Sequence, residues 1–279
     1  YTPFYYLFAL TSRQLCRLGS RSNSVSKSEY KKVLLCASIS TCLRFVYTAA
    51  TLILPSSPVD MSLLPCIVKE PKTAATASVI WLHGLGADGS DFAPIIPELN
   101  LPATMAVRFI FPNAPSIPIT INGGHVMPAW YDITAMDIER KVDMSQLIES
   151  AEKIRLLIDR ETDRGIPSDR IVLAGFSQGG AVCYQTALTY IQPLAGLMCL
   201  STYFATKDSI TPNSANKQIP IKVCHGTTDA MVSVKQGKLA CQRLTEMGYA
   251  VDYSEYPMDH AVCPEEIAEI SRWLQLVLS

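Results

Sequence analysis

The sequence predicts an α/β protein with a mostly parallel central sheet and helices on both faces. From Met61 onward, short apolar runs alternate with segments of helical periodicity. The apolar runs are almost continuously hydrophobic, which is typical of strands that are covered on both faces. A glycine-rich turn joins one of these runs directly to a helical segment. Together these three observations favour one α/β domain without a second domain.

The expected strands are a first one at Cys66–Lys69, followed by Ser78–His83, Val107–Phe111, Ile171–Phe176, Gly196–Ser201, Ile221–His225 and Val251–Tyr256. The expected helices are Met144–Arg160, Gly180–Ile191, Val234–Met247 and Glu265–Leu278. In the first helix, Leu147, Ile154 and Leu157 share one face and can pack on the sheet. The stretch from Pro112 to Val142 is rich in Pro, Gly and Asn, so we expect an irregular loop that roofs a cleft.

Charge and cysteine content exclude several classes of protein. The chain has 24 basic and 25 acidic residues, a formal net charge of −1, which argues against nucleic-acid binding. The nine cysteines include no C-x-x-C pair, and the four histidines lack metal-ligand spacing. We therefore expect neither a metal site nor a disulfide framework. Cysteines inside apolar runs are typical of small buried residues in a reducing cytoplasm, where we expect this protein to function.

Residues 1–60 differ in character from the rest of the chain. They include an apolar stretch from Val33 to Leu54 but have no regular period. A secretory or transit segment, a membrane anchor, and sequence translated upstream of the functional protein or added to it are three interpretations. Arg44 within the apolar stretch makes a membrane anchor costly, and Met61-Ser-Leu-Leu-Pro65 is similar to a bacterial translation start. We expect residues 1–60 to be an extension outside the fold, residues 61–279 to form a single domain, and no stable membrane insertion.

The most informative motif is Gly-Phe-Ser-Gln-Gly at residues 175–179, a G-x-S-x-G pattern. It follows a predicted strand and precedes a predicted helix, which is the context of the nucleophile elbow in an α/β-hydrolase fold. Gly175 and Gly179 keep the tight turn free of side chains. Ser177 then lies at a helix N-terminus, where negative charge is favoured. Ser177 is the predicted nucleophile; a Gly-Ser turn without a catalytic role is the alternative.

A serine nucleophile needs a base, and the base needs an acid that orients it. In an α/β-hydrolase the chain order is nucleophile, acid, histidine. His260, in the loop after the last predicted strand, is the predicted base, and His225 at a strand end is the alternative. Asp229, just beyond a strand, is the predicted acid, although it could instead cap the following helix. Asp208 and Asp259 are the other candidates.

The tetrahedral intermediate of acyl transfer needs two N–H donors aimed at its oxyanion. The backbone N–H of Gln178, directly after the predicted nucleophile, is the first of them. The second is expected from Leu85 in the loop His83–Gly89, whose three glycines let the backbone curl. The same loop resembles a phosphate-binding loop, but no Lys-Ser/Thr pair follows it.

The motifs occur in the order known from one family of enzymes. They are His83-Gly-Leu-Gly86 with Gly89, Phe111-Pro-Asn-Ala-Pro115, Met127-Pro-Ala-Trp-Tyr-Asp132, Gly175-Phe-Ser-Gln-Gly-Gly180, Asp229-Ala-Met-Val232 and the His260 loop. In these motifs the chain resembles the carboxylesterase and acyl-protein thioesterase (phospholipase/carboxylesterase) family of α/β-hydrolases. Phe92 and the sequence Ala87-Asp88-Gly89 are similar to the bacterial carboxylesterase branch, and Asp259 stands where a glycine often precedes the histidine.

This resemblance implies a small serine esterase without a large lid and without a cofactor. It supports Ser177, Asp229 and His260 as the catalytic triad, with Leu85 and Gln178 as the oxyanion hole. The predicted function is hydrolysis of short- to medium-chain acyl esters through an acyl-enzyme, by a monomer or homodimer that acts on a small acyl ester. The alternative is an acyl-protein thioesterase or lysophospholipase, which uses the same triad.

Two further classes of function conflict with the motifs. A ligand-binding protein without activity would lack at least one member of the triad. An epoxide or halide hydrolase would need a carboxylate where this chain has Ser177. The sequence therefore favours an acyl hydrolase over both.

Overall fold

A seven-stranded sheet is the centre of the structure, a computed structural model that describes residues 62–135 and 141–279. The strands in these residues are β1 (Cys66–Lys69), β2 (Ala77–Leu82), β3 (Val107–Pro112), β4 (Ser116–Ile119), β5 (His125–Pro128), β6 (Ile133–Ala135), β7 (Lys141–Val142), β8 (Ile171–Phe176), β9 (Gly196–Leu200), β10 (Ile221–Gly226) and β11 (Val251–Tyr256). The α-helices are α1 (Ile95–Glu98), α2 (Met144–Asp163), α3 (Gln178–Thr189), α4 (Val234–Glu246) and α5 (Pro264–Val277).

The central sheet is parallel except at one edge. Its strand order is β1-β3-β2-β8-β9-β10-β11, and only β1 runs antiparallel to its neighbour. Strands β2, β3, β9 and β10 are buried along their whole length, which explains their continuously apolar sequences. Because the parallel strands point the same way, the loops after β2, β8, β10 and β11 leave the sheet at one edge.

Helices cover both faces of this sheet, as the sequence predicts. Helices α2, α3 and α4 pack on one face, and α1 and α5 pack on the other, so that each face has its own hydrophobic core. In α2, the predicted inward residues Leu147, Ile154 and Leu157 are fully buried. The α/β-hydrolase fold class is therefore confirmed.

The stretch between Pro112 and Val142 has more regular structure than expected. Strands β4 and β5 form an antiparallel hairpin, and β6 pairs with β7. Pro118 and Pro128 lie within the hairpin strands, and proline in an apolar run normally argues against a strand. The hairpin contacts the loop after β2, because the N–H of Gly86 donates to the Pro128 oxygen at 2.8 Å. The short helix α1 was also missed, since four residues show no periodicity.

Three expectations about the setting of this fold stay predictions. The expected extension at residues 1–60 lies outside the described residues. The expectations of a cytoplasmic protein and of a monomer or homodimer concern properties that the fold alone does not determine. Within the described part of the chain, no helix combines the length and the apolar character needed to cross a membrane.

Glu266 is a fully buried carboxyl group in the first turn of α5. Burial raises the pKa of this side chain from an ordinary value of 4.5 to about 8. Between these two values the folded protein binds more protons than the unfolded chain. The stability that Glu266 contributes is therefore full below pH 4.5 and is lost as the pH rises towards 8.

We expect Glu266→Gln to remove this dependence, because an amide of the same shape does not ionise. The free energy of unfolding of the variant, minus that of the wild-type protein, should increase with pH in this range by up to about 1.4 kcal/mol per unit. Urea unfolding at several pH values measures this difference. A difference that stays constant with pH would contradict the burial of an ionisable Glu266.

Candidate active site

Ser177 lies at the sharp turn between β8 and α3. Its backbone has φ 52° and ψ −119°, a conformation that residues other than glycine rarely adopt. A Cβ atom at Gly175 would lie 2.5 Å from the carbonyl carbon of Gly179. A Cβ atom at Gly179 would lie 2.6 Å from the His83 oxygen. Glycine is thus required on both sides of the serine, and the turn has the geometry of a nucleophile elbow.

The structure brings the three predicted side chains together at the carboxyl edge of the sheet. His260, in the loop between β11 and α5, has its Nε2 atom 2.9 Å from Ser177 Oγ. Its Nδ1 atom lies 2.7 Å from Asp229 Oδ2. Because a carboxylate can only accept, Nδ1 carries the hydrogen, and Nε2 can accept the hydroxyl hydrogen of Ser177. This arrangement can transfer a proton from the serine to the imidazole.

Asp229 occupies the turn after β10, and its side chain is fully buried. Besides the bond from His260, its Oδ1 atom accepts the N–H groups of Met231 and Val232 at 2.9 and 2.7 Å. Burial raises the pKa of this carboxyl group. The hydrogen bonds from His260 and from the Val232 N–H outweigh burial, so that the pKa of Asp229 is lowered overall. The carboxylate is therefore ionised at neutral pH.

The other aspartates have different contacts. Helix α4 is capped by Ser233, so the predicted acid does not cap it. Asp208 is exposed and pairs with the neighbouring lysine. Asp259 accepts hydrogen bonds from the backbone N–H groups of Ala230 and His260, at 3.1 and 2.9 Å. Asp259 therefore joins two loop backbones, and its hydrogen bonds are not with the imidazole ring.

His225, the alternative base, is fully buried beside Asp229. Its Nε2 atom lies 2.7 Å from the Val232 oxygen and 3.6 Å from Asp229 Oδ2. Because a carbonyl can only accept, Nε2 carries a hydrogen. Burial lowers the pKa of His225, which favours the neutral ring. Gly237 in α4 leaves room for the ring, since a Cβ atom there would lie 2.6 Å from Nδ1. His225 therefore fastens the turn that presents Asp229.

We expect His225→Ala to lower kcat by about 10–100-fold, because the turn that carries Asp229 loses its anchor. The free energy of unfolding should fall by about 1–3 kcal/mol, since the Val232 oxygen loses its donor. His225→Gln places an amide N–H near the former Nε2 atom and should retain more of both quantities. An ester assay and urea unfolding measure them. Equal losses in the two variants would contradict an anchoring role for the Nε2–H group.

The two predicted oxyanion donors lie on the segments that border Ser177. Gln178 is the first residue of α3. A Cβ atom at Gly84, next to Leu85, would lie 3.5 Å from the Ser177 Cβ atom. Within residues 62–135 and 141–279, neither the Leu85 nor the Gln178 backbone N–H donates to a protein acceptor. Both N–H groups are thus available to an oxyanion.

A buried network that the sequence prediction missed holds the loop after β2. His83 Nδ1 donates to the Gly84 oxygen at 2.7 Å, and Nε2 accepts the Ala114 N–H at 3.1 Å. Burial lowers the pKa of His83, in agreement with a neutral ring. Trp130 Nε1 donates to the His83 oxygen, and the Trp130 N–H donates to the Gln178 side chain. The network connects the two oxyanion segments through Trp130.

The residues of this network belong to motifs of the sequence, but the sequence does not indicate what they contact. Trp130 belongs to the motif at residues 127–132, and His83 begins the motif at residues 83–86, but neither motif indicates a hydrogen bond to the other. Their contacts join segments that are 47 and 48 residues apart, which no local pattern reveals. Among the described residues, no group of three His, Cys, Asp or Glu side chains is arranged to hold a metal ion.

Comparison with known proteins agrees with this geometry. The family model described as phospholipase/carboxylesterase matches residues 65–278. An acyl-protein thioesterase 1 of Neurospora crassa is 39% identical over 223 residues, which cover 76% of this chain and 89% of the relative. The crystal structure of Zea mays acyl-protein thioesterase 2 has a TM-score of 0.68 and 28% identity, and the match covers 77% of this chain and 99% of that chain.

A bacterial protein shares the same fold. The crystal structure of the Bacillus cereus carboxylesterase has a TM-score of 0.64 and 16% identity, and the match covers 77% of this chain and 95% of that chain. The identities to the fungal and plant thioesterases are higher, so the identities alone do not favour the bacterial branch. The predicted family is confirmed: this chain belongs to the phospholipase/carboxylesterase family, whose members hydrolyse esters and thioesters.

Proposed function

We propose that this hydrolase removes acyl groups from S-acylated proteins, with Ser177 as nucleophile, His260 as base and Asp229 as the acid that orients His260. The observation that carries the proposal is the chain of hydrogen bonds from Ser177 Oγ through the imidazole to the Asp229 carboxylate, at 2.9 and 2.7 Å. A hydroxyl bonded to an imidazole nitrogen, whose other nitrogen is held by a carboxylate, is the arrangement that activates serine.

The reaction follows from this geometry. The Ser177 proton moves to His260 Nε2 while Oγ forms a bond to the acyl carbon of the thioester. The carbonyl oxygen gains the negative charge, which the N–H groups of Leu85 and Gln178 stabilise. When the C–S bond breaks, the leaving sulfur takes the proton from Nε2, which yields a free thiol and an acyl ester of Ser177. Water then attacks this ester through the same base and releases the carboxylic acid.

The choice of a protein thioester rests on the relatives. Fungal proteins named acyl-protein thioesterase 1 are 37–39% identical to this chain, and the matches cover 89–95% of their length. Hydrolysis of short- to medium-chain oxygen esters is the second candidate, which the family description as phospholipase/carboxylesterase favours. The same three side chains serve both reactions, so a substrate comparison has to separate them.

A matched pair of substrates makes this comparison. S-octanoyl-N-acetylcysteine amide and O-octanoyl-N-acetylserine amide differ in the scissile atom, and each kcat/KM is divided by the rate constant of alkaline hydrolysis. We expect the corrected ratio to favour the thioester. A ladder of acyl chains from two to sixteen carbons, with a lysophospholipid alongside, completes the test. A corrected preference for short oxygen esters would replace the proposal by the second candidate, and turnover of none of them would overturn both.

A further inference from the structure

A cleft of about 440 Å³ opens beside His260, between the segment that contains α1 and the start of α5. Its walls are mostly apolar: Phe92, Pro94, Ile95, Phe176, Val262 and Ile267 line it. The centroids of the Phe92 and Phe176 rings are 5.4 Å apart, and the centroid of the Phe176 ring lies 4.7 Å from that of the His260 imidazole. The cleft thus begins at the base of the active site and continues along an aromatic wall.

The position of this cleft beside His260 relates it to the leaving group of the substrate. The leaving group must receive its proton from His260 Nε2, so it departs on the side of the imidazole. The oxyanion lies on another side, near the N–H groups of Leu85 and Gln178. A group attached to the leaving sulfur or oxygen therefore extends past His260, where Ala261 and Val262 form part of the cleft.

The charge of the cleft is as distinctive as its shape. Asp91 and Glu98 are exposed carboxylates on its rim. Among the described residues that line the cleft there is no lysine or arginine. All lining residues except Phe176 lie within residues 73–107 and 244–271, and these two segments contain no lysine or arginine. The cleft therefore has apolar walls and a negatively charged rim. These two features complement a ligand that combines an apolar group with a positive charge.

We propose that this cleft is the leaving-group subsite, and that its occupant is a peptide segment with an apolar residue next to the acylated cysteine and lysine or arginine nearby. The apolar side chain covers the Phe92–Phe176 wall, and the basic side chain lies near Asp91 and Glu98. This inference rests on the proposed function, because it names the kind of S-acylated protein that the site accepts.

Three S-octanoyl cysteinyl peptides of one length test the charge preference. They carry lysine, glutamine or glutamate at the same positions near the cysteine. We expect kcat/KM to fall in the order lysine, glutamine, glutamate, by about 1.4–5-fold for each exposed charge pair. The preference should shrink in high salt, because the Debye length falls from about 8 Å at physiological ionic strength to about 3 Å at 1 M.

Variants of the rim locate this preference in the cleft. Asp91→Asn and Glu98→Gln should each reduce the lysine-to-glutamate ratio of kcat/KM. The matched control is Asp169→Asn, which changes the net charge equally but lies in the turn before β8, at the opposite end of this strand from Ser177. Each ratio is measured on one preparation, so the fraction of active enzyme cancels.

A second pair of peptides tests the apolar walls. Of two glutamine peptides with leucine or serine next to the cysteine, the leucine peptide should have the higher kcat/KM, and Ile267→Asn should reduce the leucine-to-serine ratio. Equal turnover of all peptides, or ratios that change as much in Asp169→Asn as in the rim variants, would overturn the proposal for the cleft. Absence of turnover with any thioester would instead overturn the proposed function.

Discussion

Ser177→Ala is expected to lower kcat by about 10⁵–10⁶-fold. The substitution removes the Oγ atom that lies 2.9 Å from His260 Nε2 and that would attack the acyl carbon. The oxyanion donors and the binding surface remain, so some rate enhancement over water should persist. The steady-state rate with an octanoyl thioester measures the loss. Labelling by a fluorophosphonate probe should disappear with it, because the probe reacts with the activated hydroxyl.

Ser201→Ala is the matched control for this substitution. Ser201 is also a buried serine with a positive φ, of 45°, and its Oγ atom has no hydrogen-bond partner in the described residues. Its replacement should leave probe labelling and most of the activity in place. Melting temperatures of both variants should stay close to that of the wild-type protein. Persistent probe labelling of Ser177→Ala would show that another residue is the nucleophile.

The sequence predicted Ser177 and its neighbours because their constraints are local. The elbow needs small residues on both sides of the serine, and the contacts of Gly175 and Gly179 show why. Gln178 follows from the same turn, since it begins the next helix. His260 and Asp229 could be predicted because parallel strands place the loops after β10 and β11 at the edge that carries Ser177.

The supporting residues could not be predicted in the same way. His225 reads as a strand end followed by glycine, and its role emerges only from contacts with the Val232 oxygen and with Gly237 in α4. Because glycine lowers the stability of a helix, Gly237 indicates that something packs closely against α4. The sequence does not show that this is the His225 ring. Asp259 is the opposite case, because its place in the sequence suggests a role that its contacts do not support. Its place beside His260 makes it a candidate for the acid, but its hydrogen bonds are with backbone N–H groups.

The hairpin β4–β5 was missed for a different reason. Each of its strands has four residues, contains a proline and is partly exposed, so it lacks the longer buried apolar run that predicts the strands of the central sheet. Its stabilising contacts are with other segments, such as the bond from Gly86 to Pro128. Local patterns therefore predict the sheet and the elbow well, whereas contacts between distant loops determine how the site is held.

Asp229→Asn is expected to lower kcat by about 10⁴-fold with a much smaller change in KM. The reason lies in the orientation of the new amide. The N–H groups of Met231 and Val232 both point at Oδ1, so the amide oxygen has to take that position. The amide NH₂ group then replaces Oδ2 and faces His260 Nδ1, which must become the acceptor. The imidazole hydrogen moves to Nε2, where it prevents the ring from accepting the Ser177 proton.

Asp259→Asn is the matched control, because it makes the same chemical change beside the same histidine. Within the described part of the chain, Asp259 accepts hydrogen bonds from two backbone N–H groups, and an amide oxygen can accept the same two bonds. This variant should keep most of its kcat, while Asp229→Asn loses it at an unchanged melting temperature. Steady-state kinetics on both variants decide the matter. Near-normal turnover by Asp229→Asn, together with a large loss in Asp259→Asn or in Asp208→Asn, would transfer the role of the acid to that other residue.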